Sequence, residues 1–158
     1  MTKTFEQNIK AIIDSMQTPL LSDGTINPNR WTYIFSTWNE ANKATEDIVK
    51  FPIVLNLLPN RGAGNVSGNT IRMTYPCLIA FIDKIPNSEH LTSDVTEITS
   101  RMIKGMQEFI SKINSSPNFE NVIKFQYESV GEFDVNIAGV VLNISITEKI
   151  GTPFCKIS

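Results

Sequence analysis

One histidine and two cysteines set the limit on the reactive chemistry this chain can carry. A zinc cage needs several His, Cys or carboxylate ligands at workable spacing, and His90 with the distant Cys77 and Cys155 does not supply one. A nucleophilic triad would need the same His90, yet no Gly-x-Ser-x-Gly elbow occurs anywhere in the sequence. His90 therefore reads as a solvated loop residue, and the cysteines as free thiols. Asp47, Asp83, Asp94, Glu97, Glu132 and Asp134 are scattered acids with no spacing that pairs them for acid–base work, and read as surface groups. No catalytic residue, metal ligand or cofactor contact is assigned, and the chain is not expected to be an enzyme.

The segment Pro59 to Asn69 (PNRGAGNVSGN) is the remaining chemical candidate, because glycines let backbone N–H groups approach an anion. Its details do not fit a phosphate loop. The dinucleotide fingerprint wants glycine where Ser67 stands, a P-loop wants Gly-Lys-Ser/Thr where Gly68-Asn69-Thr70 stands, and a strand follows instead of a helix. Residues Asn60, Arg61, Gly62, Gly64, Asn65 and Gly68 instead read first as part of a mobile hairpin between two strands, and second as an assembly contact that orders only in a complex. A small cytosolic module that binds an anionic ligand through this loop is the alternative. Trp31 and Trp38 are candidate interface residues, core burial being the competing reading.

The elements that would position these groups follow from hydrophobic spacing. Phe5, Ile9, Ile12, Ile13 and Met16 recur at helical intervals, which predicts a helix from about Thr4 to Gln17. Strands are predicted over Trp31–Trp38, Phe51–Leu58 and Thr70–Lys84, with Pro76 marking a bulge or an exposed edge. Val95, Ile98, Met102, Met106, Phe109, Ile110 and Ile113 form one continuous stripe, which predicts a long helix over Leu91–Asn114, with Asp94 to Glu97 as a capping box. Val122–Tyr127 and Phe133–Thr147 read as two further strands. In the last, the apolar parity changes across Ala138 and Gly139, as a β-bulge would make it. The expected fold is α+β, with a mixed or antiparallel sheet, helices packed on one side, and the order α-β-β-β-α-β-β.

Composition narrows the function classes further. The chain has 158 residues, one domain's worth, with 14 basic and 16 acidic side chains and a formal net charge of −2. That balance lacks the basic footprint of a protein that wraps nucleic acid. No apolar run approaches the roughly 20 residues that span a bilayer, and MTKTFEQNIK has no leader pattern, so a cytosol-like compartment without membrane contact is expected. The 21 Ile and 15 Asn exceed ordinary usage and read as AT-rich coding bias.

Three stretches carry a resemblance: VKFPIVL (Val49–Leu55), YPCLIAFIDK (Tyr75–Lys84) and GEFDVNIAGVVLNISI (Gly131–Ile146). Together they resemble small neck proteins of Bacteroides-infecting tailed phages, including the ring proteins of crAss-like phages, which are similar in layout to tail terminators and head-to-tail joining proteins. The resemblance implies a subunit that assembles with copies of itself, as a hexamer or a dodecamer, into a ring in the virion neck, and in such a ring the Pro59–Asn69 loop with Asn60, Arg61, Gly62, Gly64, Asn65 and Gly68 is expected to reach a neighbouring subunit or line the channel. It also implies portal, adaptor or tail proteins as neighbours, DNA only passing through the channel, production in the host bacterial cytoplasm, and no enzymatic activity or cofactor.

Overall fold

The first helix begins where its polar flank dictates. Thr4 Oγ1 accepts from the Gln7 N–H at 3.2 Å and Gln7 Oε1 accepts from the Thr4 N–H at 2.9 Å, a reciprocal cap for α1 (Phe5–Asp14). The computed structural model describes residues 3–17, 30–36, 51–57, 62–85, 92–131 and 137–150. His90, Trp38, Asn60, Arg61, Asp47, Glu132, Asp134 and Cys155 lie outside the described residues.

The strands are β1 (Thr32–Ser36), β2 (Ile53–Leu57), β3 (Ala63–Ser67), β4 (Thr70–Lys84), β5 (Gln126–Gly131) and β6 (Ile137–Ile150). Helix α2 (Thr92–Ser115) stands between β4 and β5. Among the described residues the order is thus α-β-β-β-β-α-β-β, one strand more than the spacing predicted. The sheet runs β1-β2-β4-β6-β5, with β3 hydrogen-bonded to β4 off that path. The β1–β2 pair is parallel and every other pair antiparallel, so the protein is α+β with a mixed sheet.

Both described helices lie on one face of this sheet. Ile9 and Ile13 of α1 and the predicted stripe of α2 close over Cys77, Ile79 and Phe81 of β4 and Ala138, Val140, Leu142, Ile144 and Ile146 of β6. Burial of such side chains stabilises by about 1.5–3 kcal/mol each, so the 3.6-residue period itself docks α2. The helix starts at Thr92, two residues before the expected box, which leaves Asp94 in the first turn to offset the helix dipole.

A second apolar cluster occupies the opposite face, where Ile53, Leu55, Leu57, Ala80, Ile82 and Ile137 are buried. This cluster corrects the expected bulge at Ala138 and Gly139. Strand β6 pairs with β4 residue for residue from Ile137↔Lys84 to Ile150↔Ile71, and with β5 just as regularly, so no residue is inserted. The parity change has another cause: odd-numbered Ile137 and Val141 face the second cluster, whereas even-numbered Ala138 to Ile146 face the helices. Gly139 is required for a different reason, since a Cβ there would lie 1.9 Å from the Phe81 carbonyl oxygen.

Two other expectations change at strand ends. Pro76 interrupts nothing, because β4 pairs with β3 over Thr70–Thr74 and with β2 over Leu78–Ile82, and Pro76 falls in the gap between them. That is the exposed-edge alternative, the place where a missing N–H does least harm. Strand β5 begins at Gln126, so residues 121–125 are not in a strand as Val122–Tyr127 suggested.

Trp31 is buried at 7% exposure, which corrects its assignment as an interface residue. Its indole meets Phe81 edge to face, with centroids 5.9 Å apart, and Nε1 donates to the Gln17 carbonyl at 3.0 Å. Gly105 on α2 makes room for it, because a Cβ there would lie 2.6 Å from Trp31 Cζ2. Gly105→Ala gains about 1 kcal/mol of helix propensity but overpacks a buried indole, at a cost of about 1–3 kcal/mol. Steric overlap dominates at 2.6 Å. The variant is expected to melt a few degrees below the parent; a higher melting temperature in a thermal scan would show that the indole yields freely.

Candidate functional site

The glycine-rich segment, read from the sequence as a mobile hairpin between two strands, is from Ala63 onward itself a ladder strand. Gly64 pairs with Met73, Asn65 with Arg72 and Val66 with Ile71, and Gly68-Asn69 makes the two-residue turn. Gly68 has φ +59°, a conformation that other residues adopt only at a cost, which is why the hairpin turns there. Gly62 and Gly64 pack close to β4: a Cβ would lie 3.2 Å from the Thr74 carbonyl oxygen and from Met73 Sδ respectively. Sequence spacing missed this strand because AGNVS has little β propensity of its own. The pairing is supplied by β4.

The hairpin projects beyond the helix-covered part of the sheet. Every residue of β3 is exposed, and Val66 is 70% exposed. Beneath it, β6 continues alongside β4 to Ile150, so the projection is three strands wide. Arg72 and Glu120 form an ion pair on it with Nε to Oε1 at 2.5 Å. Thr74 and Thr147 hydroxyls hydrogen-bond across β4 and β6 at 2.8 Å.

On the other side of the sheet, β6 is edged twice and, among the described residues, left open once. The Glu120 N–H donates to the Thr147 carbonyl at 2.9 Å and the Lys149 N–H donates to the Asn118 carbonyl at 2.7 Å. Strand β5 takes up the same edge from Asn143 to Ala138. Between these two contacts residues 121–125 arch away, leaving a cleft of about 470 Å³ lined by that arch, Gln126 and Asn143–Ser145. Asn114, on the last turn of α2, holds the arch: its Oδ1 accepts from the Val122 N–H at 2.7 Å and its Nδ2 donates to the Val122 carbonyl at 3.3 Å. Ile123 is 92% exposed, and Phe125 and Tyr127 are exposed beside it with ring centroids 6.4 Å apart.

The buried polar groups are structural in their contacts. Asp83 and Glu97, read from the sequence as unrelated surface acids, meet at Arg101: Nη1 lies 3.0 Å from Asp83 Oδ2 and Nε 2.6 Å from Glu97 Oε1. Only the Glu97–Arg101 spacing of four was a usable signal. Cys77 is buried, which pushes its thiol up to about 12 and removes the thiolate a nucleophile would need. No group of three His, Cys, Asp or Glu among the described residues stands together as a metal site.

Glu148 is a buried acid that sequence reasoning passed over. It accepts from Asn8 Nδ2 at 3.3 Å, and burial raises its pKa above the ordinary carboxylate value. The stabilisation belonging to the protonated form is present below the unfolded-state value near 4.5 and is lost as pH rises through the higher folded-state value. Glu148→Gln is therefore expected to stabilise the fold at pH 7 by at most about 1 kcal/mol, seen as a rise of a few degrees in melting temperature, and to give less gain at pH 4. Melting curves at the two pH values test this, and a gain that grows on acidification contradicts it.

No described helix is long and apolar enough to cross a membrane. No protein-family model and no curated protein sequence matches the chain.

Proposed function

We propose that this chain is a structural ring subunit of a tailed-phage neck, a connector or terminator that joins portal to tail around the DNA channel. The observation that carries this reading is the β3–β4 hairpin. Every side chain of β3 is exposed, so the outer strand of this three-stranded projection presents an uncovered surface and, among the described residues, an unpaired backbone edge. A neighbouring subunit gives it a surface to cover.

Three further features support the same reading. Ring closure needs two different surfaces on each copy, and this sheet has unlike features at its two sides: the exposed hairpin on one and the aromatic arch with β5 on the other. A net charge of −2 suits a channel wall that must not hold DNA tightly. The wording of the Tyr75–Lys84 and Gly131–Ile146 stretches resembles neck ring proteins. The described part of the glycine-rich segment is a hairpin with no helix N-terminus after it, which does not favour the anion-binding alternative.

The mass of the purified protein in solution tests the proposal. Native mass spectrometry with negative-stain microscopy is expected to give six or twelve copies of the 17.7 kDa chain arranged as a closed ring. A single 17.7 kDa species up to high micromolar concentration, with no ring on addition of portal or tail proteins, overturns it.

A further inference from the structure

Besides β1, which pairs only with β2, the sheet has two open backbone edges among the described residues, and these two carry exposed apolar side chains. Among the described residues β3 is paired only through β4, and β5 only through β6, so each presents an open edge, and the two lie on opposite sides of the sheet. Monomeric proteins blunt such edges with charges, prolines or bulges. β3 (AGNVS) carries none of these, and β5 (QYESVG) carries one charge, Glu128. The exposed large apolar side chains among the described residues are Val66 on β3, Leu78 on β4, and Ile123, Phe125 and Tyr127 at the β5 side.

The register places Val66 and Tyr127 on one face. Val66 pairs with Ile71, on the same parity of β4 as Cys77, Ile79 and Phe81, which face the helices. Tyr127 pairs with Leu142, which also faces the helices. Joining the two edges would therefore continue the sheet and set the two apolar side chains on the same surface, the arrangement in which cross-strand pairs stabilise each other. The lengths also agree: β3 has five residues and β5 has six.

We infer that a second copy of this chain is the partner of both edges: β3 of one subunit adds to the β5 edge of the next. This rests on the ring reading and specifies its contact. The contact is heterologous, since each copy gives a hairpin on one side and receives one on the other, and repetition of it closes a ring. Main-chain hydrogen bonds supply the pairing, and Val66 with Tyr127 supplies the apolar contact.

Two single variants and their mixture test the contact. Val66→Lys spoils the hairpin edge and Tyr127→Lys spoils the receiving edge; both positions are exposed, so circular dichroism is expected to match the parent, and melting temperature to match it at a dilution where the parent is also monomeric. Each variant alone is expected to run as a monomer at a concentration where the parent assembles. Their equimolar mixture is expected to form a two-chain species and nothing larger, because one intact hairpin meets one intact edge. A second measurement does not depend on lysine tolerance: Val66→Cys with Tyr127→Cys in a Cys155→Ser background, treated with a bifunctional thiol reagent, should give a ladder of covalently joined chains, Cys77 being buried and unreactive. Variants that keep the parent's mass, a mixture that stays monomeric, or no ladder from an assembled parent overturns the edge contact and leaves the ring reading intact. A parent that stays monomeric even when portal or tail proteins are added overturns both.

Discussion

Gly139→Val is expected to leave almost no soluble folded protein, and Gly139→Ala to fold only marginally. Position 139 forms the third pair from the end of the β4–β6 ladder but lies between two strands, paired with Ile82 on one side and Val130 on the other. A Cβ there would sit 1.9 Å from the Phe81 carbonyl oxygen and 2.9 Å from the Ile82 Cα, both backbone atoms that cannot swing away as a side chain can. Relief requires the two central strands to separate, which breaks ladder hydrogen bonds and opens the packing around Phe81. A loss of about 4 kcal/mol or more is expected, the exceptional end of single-substitution effects and a large part of a typical domain's 5–15 kcal/mol. Gly68→Ala is the control. Gly68 has the left-handed φ of +59°, but nothing lies within 4 Å of its Cβ, so only the local backbone cost of about 1–2 kcal/mol applies. Soluble yield and melting temperature distinguish the two positions, and a Gly139→Ala protein that melts like Gly68→Ala would refute the steric argument.

Arg101→Met is expected to cost about 3 kcal/mol, and most of that cost should disappear when Asp83→Asn is added. The Asp83 and Arg101 side chains are 10% and 14% exposed, so neither charge is well hydrated once its partner is gone. Removing one member of a buried ion pair leaves the other uncompensated, whereas replacing both with neutral groups removes the reason for the penalty. Glu97, whose side chain is 35% exposed, can recruit water and contributes less. The pair also links α2 to the end of β4, so its loss weakens the attachment of helix to sheet. A double-mutant cycle followed by chemical denaturation measures the coupling. If Arg101→Met falls within about 0.5 kcal/mol of the parent, the pair acts as an exposed surface bridge despite its burial.

The two helices were legible in the sequence to within a few residues, because caps and a 3.6-residue apolar period are local signals. β4 was legible in full from Thr70 to Lys84. The strand β3 was not, since AGNVS gains its extended conformation from pairing with Thr70–Thr74 and not from its own side chains. The reverse error occurred at Val122–Tyr127, which looks like a strand from its composition. Asn114 bonds both backbone groups of Val122 and keeps the arch out of the ladder, a contact eight residues away that no pattern within the segment announces. As for the candidate residues, Gly68 alone of Gly62, Gly64, Asn65 and Gly68 adopts a glycine-favouring φ, at the hairpin turn, while Gly64 and Asn65 lie in strand β3, which the spacing did not announce. The aromatic arch with Ile123, Phe125 and Tyr127 was missed altogether.

The amino-acid sequence alone settled the near-neutral charge, the scarcity of reactive side chains, the α+β composition and the apolar stripes of both helices, because each depends on residue identity or on spacing within one segment. Tertiary structure alone decided that Trp31 is core, that the change of parity at Gly139 marks two buried faces and not a bulge, that Asp83, Glu97 and Arg101 meet, and where the sheet's edges stay open. Those outcomes depend on which strand lies beside which. A strand's side chains alternate between two faces whatever its neighbours, but whether a face is buried, and whether an edge is paired, is set by segments far away in the chain.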